Sequence, residues 1–224
     1  MVAGCVLAPS AGAAAPEVKQ LVAFRDGSRT QGAVRAAATS ARVSGKRCRV
    51  AEGTALSALL RSRVGETVAL KDFGACSSRG RDGGGLFVTA IDGDRNRGSD
   101  GWVYKVGKRA ATAGAADPSG PFGRGRLRGG QRVTWFFCRM RSGSCQRTLT
   151  LRYERQGGGV VGVVTGYDDQ GRSVPVPAAS VIGGRYQAVT DGEGRTPVIP
   201  ATGQLMFARK KGLVPSFSER APVR

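Results

Sequence analysis

Three segments decide the fold: LFVTAIDG (86–93), GWVYKVGKR (101–109) and GRLRGGQRVTWFFCRM (125–140). β-Branched and aromatic residues crowd 86–91, 101–107 and 131–138, which predicts three strands. Only 6% of the residues are aromatic, yet both tryptophans and four of the eight phenylalanines lie between 86 and 140. Large rings contribute the most burial per residue, so the core should form there. Trp102, Tyr104 and Val106 alternate with Val103, Lys105 and Gly107, the pattern of a strand with one face buried. Arg128-Gly129-Gly130-Gln131 reads as a tight turn feeding the last strand.

Moving outward, Glu17 onward reads as a short strand closed by Asp26-Gly27. Ala33–Ser44 and Lys46–Val50 read as two more, although helix propensity competes in the alanine-rich first of these. Thr54 is suited to cap a helix over Thr54–Arg63, with Ala55, Leu56, Leu59 and Leu60 at helical spacing and basic residues at its end. Val64-Gly65 stops it. Thr67–Lys71 reads as a strand, and 72–85 as a Gly/Ser/Arg loop. The glycines of 156–159 read as a domain boundary. Beyond them, short strands in 160–224 alternate with turns at 169–172, 191–195 and 201–203, the texture of an all-β sandwich. The expected fold is therefore mainly β: a sheet domain with one helix over 17–155, then a small sandwich over 160–224.

The order IDG, GWVYKVGKR, loop, L-x-x-G-x-x-V-x-W resembles the bacterial DUF4430 family, related to the C-terminal β-domain of transcobalamin, and small β-grasp modules of the SLBB type. That resemblance implies a β-grasp-like domain, and through transcobalamin a small-molecule, cobalamin-like ligand. Two departures stand out: Val106-Gly107 replaces the family's Asn-Gly, and Gly129-Gly130-Gln131-Arg132 replaces its acidic pair. Ala178-Ala179-Ser180-Val181 and Thr190-Asp191 to Arg195 are similar to carboxypeptidase-regulatory-like and Cna B-type domains, which implies an Ig-like or transthyretin-like β-sandwich. The Lys–Asn isopeptide bond of some Cna B-type domains does not carry over, because the chain's one asparagine is Asn96.

Residues 2–15 are small and apolar, and Ala13-Ala14-Ala15 ahead of Pro16-Glu17 resembles a signal-peptidase site, so 1–15 reads as a signal-peptide remnant. Val2-Ala3-Gly4-Cys5 also matches a lipoprotein box. Setting Cys5 aside leaves four cysteines, and export favours their oxidation. Of three pairings, the short loop favours Cys138–Cys145, which leaves Cys48–Cys76. No run of apolar residues is long enough for a transmembrane helix.

The chain carries 35 Lys and Arg against 16 Asp and Glu, for a net charge of +19. Such a field favours anionic partners, although a coding bias toward arginine would produce the same total. Arg124, Arg126, Arg128, Arg132, Arg139 and Arg141 cluster around one strand and its turns, and the first four form the candidate anion-binding patch. The same run resembles an RGG segment, but export argues against nucleic acid. Trp102, Tyr104 and Trp135 form a candidate stacking platform, with a plain sheet core as the competing explanation. Asp92, Asp94, Asn96 and Asp100 place oxygens at alternate positions, as a calcium loop does. Arg97 and Val103 stand where an EF-hand needs Gly and Glu, so a polar hairpin loop explains the same residues.

The chain has no histidine, which excludes Ser-His-Asp and Cys-His catalysis and histidine-bound zinc. No cofactor is expected. The leading expectation is an exported, non-catalytic binding or structural module of the bacterial cell surface, contacting an anionic envelope polymer or a surface protein. A small-molecule-binding module and a polymer hydrolase with a carboxylate pair are the alternatives.

Overall fold

The computed structural model describes residues 14–62 and 67–223. All of the leader reading except Ala14 and Ala15, and the helix stop at Arg63–Gly65, lie outside them. The described residues are mainly β, with one α-helix. Its first ten strands are β1 (Glu17–Ala23), β2 (Arg29–Arg35), β3 (Thr39–Val43), β4 (Lys46–Val50), β5 (Val68–Asp72), β6 (Leu86–Ile91), β7 (Asp94–Arg95), β8 (Gly101–Val106), β9 (Arg109–Ala110) and β10 (Arg132–Cys138). The other eight are β11 (Thr148–Gln156), β12 (Gly159–Tyr167), β13 (Ser173–Pro175), β14 (Ser180–Gly183), β15 (Tyr186–Val189), β16 (Arg195–Ile199), β17 (Leu205–Arg209) and β18 (Glu219–Arg220).

In the first unit, β1 and β10 run parallel at the centre of a sheet ordered β2-β1-β10-β8-β9. The α-helix, α1 (Ala55–Arg61), packs against this sheet. Thr54 is its N-cap, accepting the Ser57 N–H on Oγ1 at 3.1 Å. The helix puts Leu56 and Leu59 into a core with Val18, Val22, Trp102 and Trp135. A mixed sheet with one helix packed on it fits the mainly β unit with one helix expected for this half. A β3–β4 hairpin and a β5-β6-β7 sheet complete the unit.

The second unit has two sheets, one of β11, β12, β13 and β16 and one ordered β15-β14-β17-β18. Leu149, Leu151, Val160 and Val164 from the first share a core with Val181, Met206 and Ala208 from the second, giving a small sandwich. Asp168 and Asp191 close its turns with their carboxylates. Asp168 accepts the N–H groups of Gln170 and Arg172, and Asp191 those of Glu193 and Arg195.

The glycines at 156–159 do not join the two units. Gly157 and Gly158 form the turn of a hairpin in which β11 and β12 pair along their whole lengths. The change of unit therefore falls ahead of Thr148, in the loop after β10. The composition of a flexible linker and of a left-handed turn is the same, and only the pairing partner separates them.

The units also share a face. Ala23, Phe136 and Cys138, on the side of the sheet opposite α1, pack with Val214 of the second unit. The half-buried reading of β8 thus fails at Lys105, whose side chain is 0% exposed and reaches Asp169 at 3.1 Å. Arg132 forks onto Glu219, with one arm at 3.0 Å, and lies over Phe217. Arg29 donates to the Ser216 carbonyl and the Ser218 hydroxyl.

Candidate functional site

The contact between the units opens on one side into a cleft of about 640 Å³. Its floor is apolar, from Ala23, Phe136, Leu213 and Val214. Five cations line it: Arg25 from the turn after β1, Arg139 from the loop after β10, and Arg209, Lys210 and Lys211 from the end of β17. Three separate stretches of chain contribute them, so the charge is a product of the packing of the two units.

The cations are held to different degrees. Arg139 donates to the Arg25 carbonyl at 2.6 Å, and Arg25 lies 5.8 Å from the centre of the Phe137 ring. Lys210 donates to the Pro177 carbonyl at 2.6 Å. Each of these contacts fixes a position without neutralising charge. Among the described residues, none of the five makes an ion pair. The one acid in the lining, Asp26, is occupied by the Ser28 N–H and hydroxyl at 2.8 and 2.6 Å. Those bonds hold its carboxyl below the usual carboxylate range. Arg25, Arg139, Arg209 and Lys211 are all exposed. The arrangement suits an anion that meets several cations at once.

Of the sequence-predicted arginine patch, three members share one exposed loop and the fourth is engaged elsewhere. Arg124, Arg126 and Arg128 are exposed on the loop before β10. Arg126 lays its stem against Gly53 and donates to the Pro118 carbonyl at 3.2 Å. Arg132 is engaged by Glu219 and is part of the contact between units. Sequence reasoning missed the cleft because Arg25, Arg139 and Arg209–Lys211 are far apart in the chain. Its local signals were Arg139, which stands in the arginine cluster around β10, and the run Arg209-Lys210-Lys211.

Trp102, Tyr104 and Trp135 are brought together. Tyr104 and Trp135 stack with ring centres 5.0 Å apart, and Trp102 meets Phe137 edge to face at 5.9 Å. All three are at most 8% exposed, so they belong to the core. They also line a second cavity of about 440 Å³. Burial raises the Tyr104 phenol above its usual pKa, with the Asp117 charge adding to it. Its hydroxyl donates to the Ala113 carbonyl at 2.9 Å.

The acidic loop does not converge on a point. Asp92 accepts the Thr67 N–H, Asp94 the Arg25 N–H, Asn96 the Trp102 N–H, and Asp100 the Met140 N–H. These oxygens tie the 92–100 loop to four other segments, which corrects the calcium-loop reading. Among the described residues, the single cluster with metal-ligand spacing is Cys48, Asp72 and Cys76. Its two cysteines are joined to each other, and Cys138 is joined to Cys145. Both disulfides follow the expected pairing.

No protein-family model, curated protein or solved structure compared with the chain matches it. The candidate sites therefore stand on their own geometry. No helix among the described residues is long and apolar enough to cross a membrane.

Proposed function

We propose that the chain is an exported, non-catalytic module that holds an anionic envelope polymer in the cleft between its two units. One observation carries this reading: five cations and an already occupied acid line a single concave surface. Guanidinium groups grip phosphate or uronate oxygens in pairs, and lysines add charge with less directional demand. Two disulfides accord with an oxidising compartment. The absence of histidine accords with binding rather than turnover.

The test is binding to poly(glycerol phosphate) and to polygalacturonate across a sodium chloride series. Exposed charge contacts are screened within about 8 Å at physiological salt, so affinity should fall steeply as salt rises. Arg209→Ala with Lys211→Ala should weaken binding at least about tenfold at low salt, equivalent to about 1.4 kcal/mol. The Arg124/Arg126/Arg128 triple alanine variant should lose much less. The reverse ranking would move the site to the loop, and salt-independent binding would remove the electrostatic reading.

A further inference from the structure

The second cavity has a different chemistry from the cleft. At about 440 Å³ it falls within the size range of small-molecule sites. One part of its lining is aromatic: Trp102, Tyr104 and Trp135 inside, with Phe73 and Phe87 beside them. Phe73 is 68% exposed and Phe87 46% exposed, and their rings meet edge to face at 5.9 Å. Two phenylalanines left in water beside an apolar cavity mark a contact surface. Elsewhere the lining is bare backbone and methyl groups, at Gly84, Gly85, Ala111 and Gly114 among others. Close chain packing enforces this: a Cβ on Gly85 would lie 2.6 Å from the Gly74 nitrogen, and one on Gly114 would lie 3.1 Å from the Gly84 carbonyl oxygen.

Charge narrows the class of occupant. Among the described residues, no lysine or arginine lines this cavity. The one carboxylate that does, Asp169, is neutralised by Lys105 at 3.1 Å and accepts the Cys145 N–H at 3.2 Å. In so basic a protein, a lining without a free cation selects against anions and for neutral molecules. One donor is unused: Trp135 Nε1 is buried and has no hydrogen-bond partner among the described residues. A buried unpaired donor is costly, and an acceptor brought by a ligand would relieve that cost.

We infer that this cavity binds a neutral, flat aromatic molecule carrying a hydrogen-bond acceptor, of about 15–20 non-hydrogen atoms. This is a site separate from the anionic cleft, and it stands or falls without it.

Both tryptophans of the chain line the cavity, so their emission reports a dye bound there, and the cavity and cleft variants locate the bound dye. The probe is 6-propionyl-2-(dimethylamino)naphthalene, a neutral flat dye whose ketone is an acceptor and whose absorption overlaps tryptophan emission. Titration into the full chain should quench tryptophan emission saturably and shift the dye emission to the blue. The dissociation constant should be on the order of ten micromolar, and the same at low and high salt. Ala111→Phe, which fills the cavity, should weaken binding at least about tenfold. Phe73→Ser, at an exposed position, should weaken it several-fold without altering the melting temperature. The inference is overturned by unsaturable quenching, or by binding that salt or the Arg209→Ala/Lys211→Ala variant abolishes. It is also overturned if a folded Ala111→Phe protein binds like wild type. Should Ala111→Phe not fold, unchanged binding by Phe73→Ser overturns it.

Discussion

Lys105 is the residue whose environment departs furthest from its chemistry. Its ammonium is buried where β8 meets the second unit, and it is held by Asp169 and by the Tyr167 carbonyl at 3.1 Å. Asp169→Asn would leave that charge without its counterion, a loss of about 2–3 kcal/mol in urea unfolding. This lies below the range for a fully buried pair, since Asp169 is partly solvated. Lys105→Met should cost less, because an apolar chain fills the same space without a charge to desolvate. Burial holds the Lys105 pKa below its usual 10.5, and Asp169 opposes that shift. With the folded pKa depressed, the unfolded chain binds the proton more tightly. Stability from this group therefore rises as pH climbs through the folded value toward 10.5. In Asp169→Asn the folded pKa falls further, so the deficit relative to wild type should shrink as pH climbs toward 10.5. A deficit that stays constant over that climb would show that Lys105 is not its source. The sequence placed Lys105 on a solvent face because Trp102, Tyr104 and Val106 account for one buried side. A counter-signal lay in Trp135-Phe136-Phe137-Cys138, a run with no polar face, as expected of a strand covered on both sides.

Among the elements, the two disulfides do different work. Cys48–Cys76 ties β4 to the loop after β5 across 28 residues, whereas Cys138–Cys145 closes a loop of 7. On loop entropy alone the first stabilises by about 3.6 kcal/mol and the second by about 2.5 kcal/mol. Replacing Cys48 and Cys76 with serine should therefore lower stability by about 1 kcal/mol more than replacing Cys138 and Cys145. Equal losses in paired denaturation curves would contradict the ordering. Near the first bridge, Asp72 accepts the Cys76 and Gly74 N–H groups at 3.0 and 2.9 Å. These bonds hold its carboxyl below its usual value of 3.8. The stability they give is present above that value and is lost as pH falls through the lower folded one. Asp72→Asn should flatten the acid limb of the stability curve. The strands at 46–50 and 86–91, the Thr54 cap and the Cys138–Cys145 bridge were legible because each rests on residues near one another in the chain, and Cys48–Cys76 followed as the pair left among four cysteines. The role of 156–159 was not, since only the distant pairing of β11 with β12 distinguishes a turn from a linker. The acidic loop misled for a related reason: its oxygens at alternate positions are claimed by N–H groups from four other segments.

For the whole molecule, the surface between the two units decides both stability and the cleft. Phe136 is 1% exposed and is buried by the second unit, a contribution of about 2–3 kcal/mol. Arg29, Lys105 and Arg132 cross the same boundary to Ser216, Asp169 and Glu219. Two domains on a flexible linker would melt independently. Units that bury a shared apolar face and a charged lysine should unfold together. Calorimetry of the full chain should show one transition, with calorimetric and van't Hoff enthalpies equal. A fragment ending at residue 147 should expose Phe136, strand Lys105 without Asp169, and melt below the full chain. It should also lose the salt-dependent polymer binding, because Arg209, Lys210 and Lys211 belong to the missing unit. Neutral-dye binding would report separately, since the rings that define that cavity all belong to the first unit. Two resolved transitions, with a fragment as stable as the parent, would mean that the units merely touch. The cleft would then be a gap between independent domains, with its five cations free to separate.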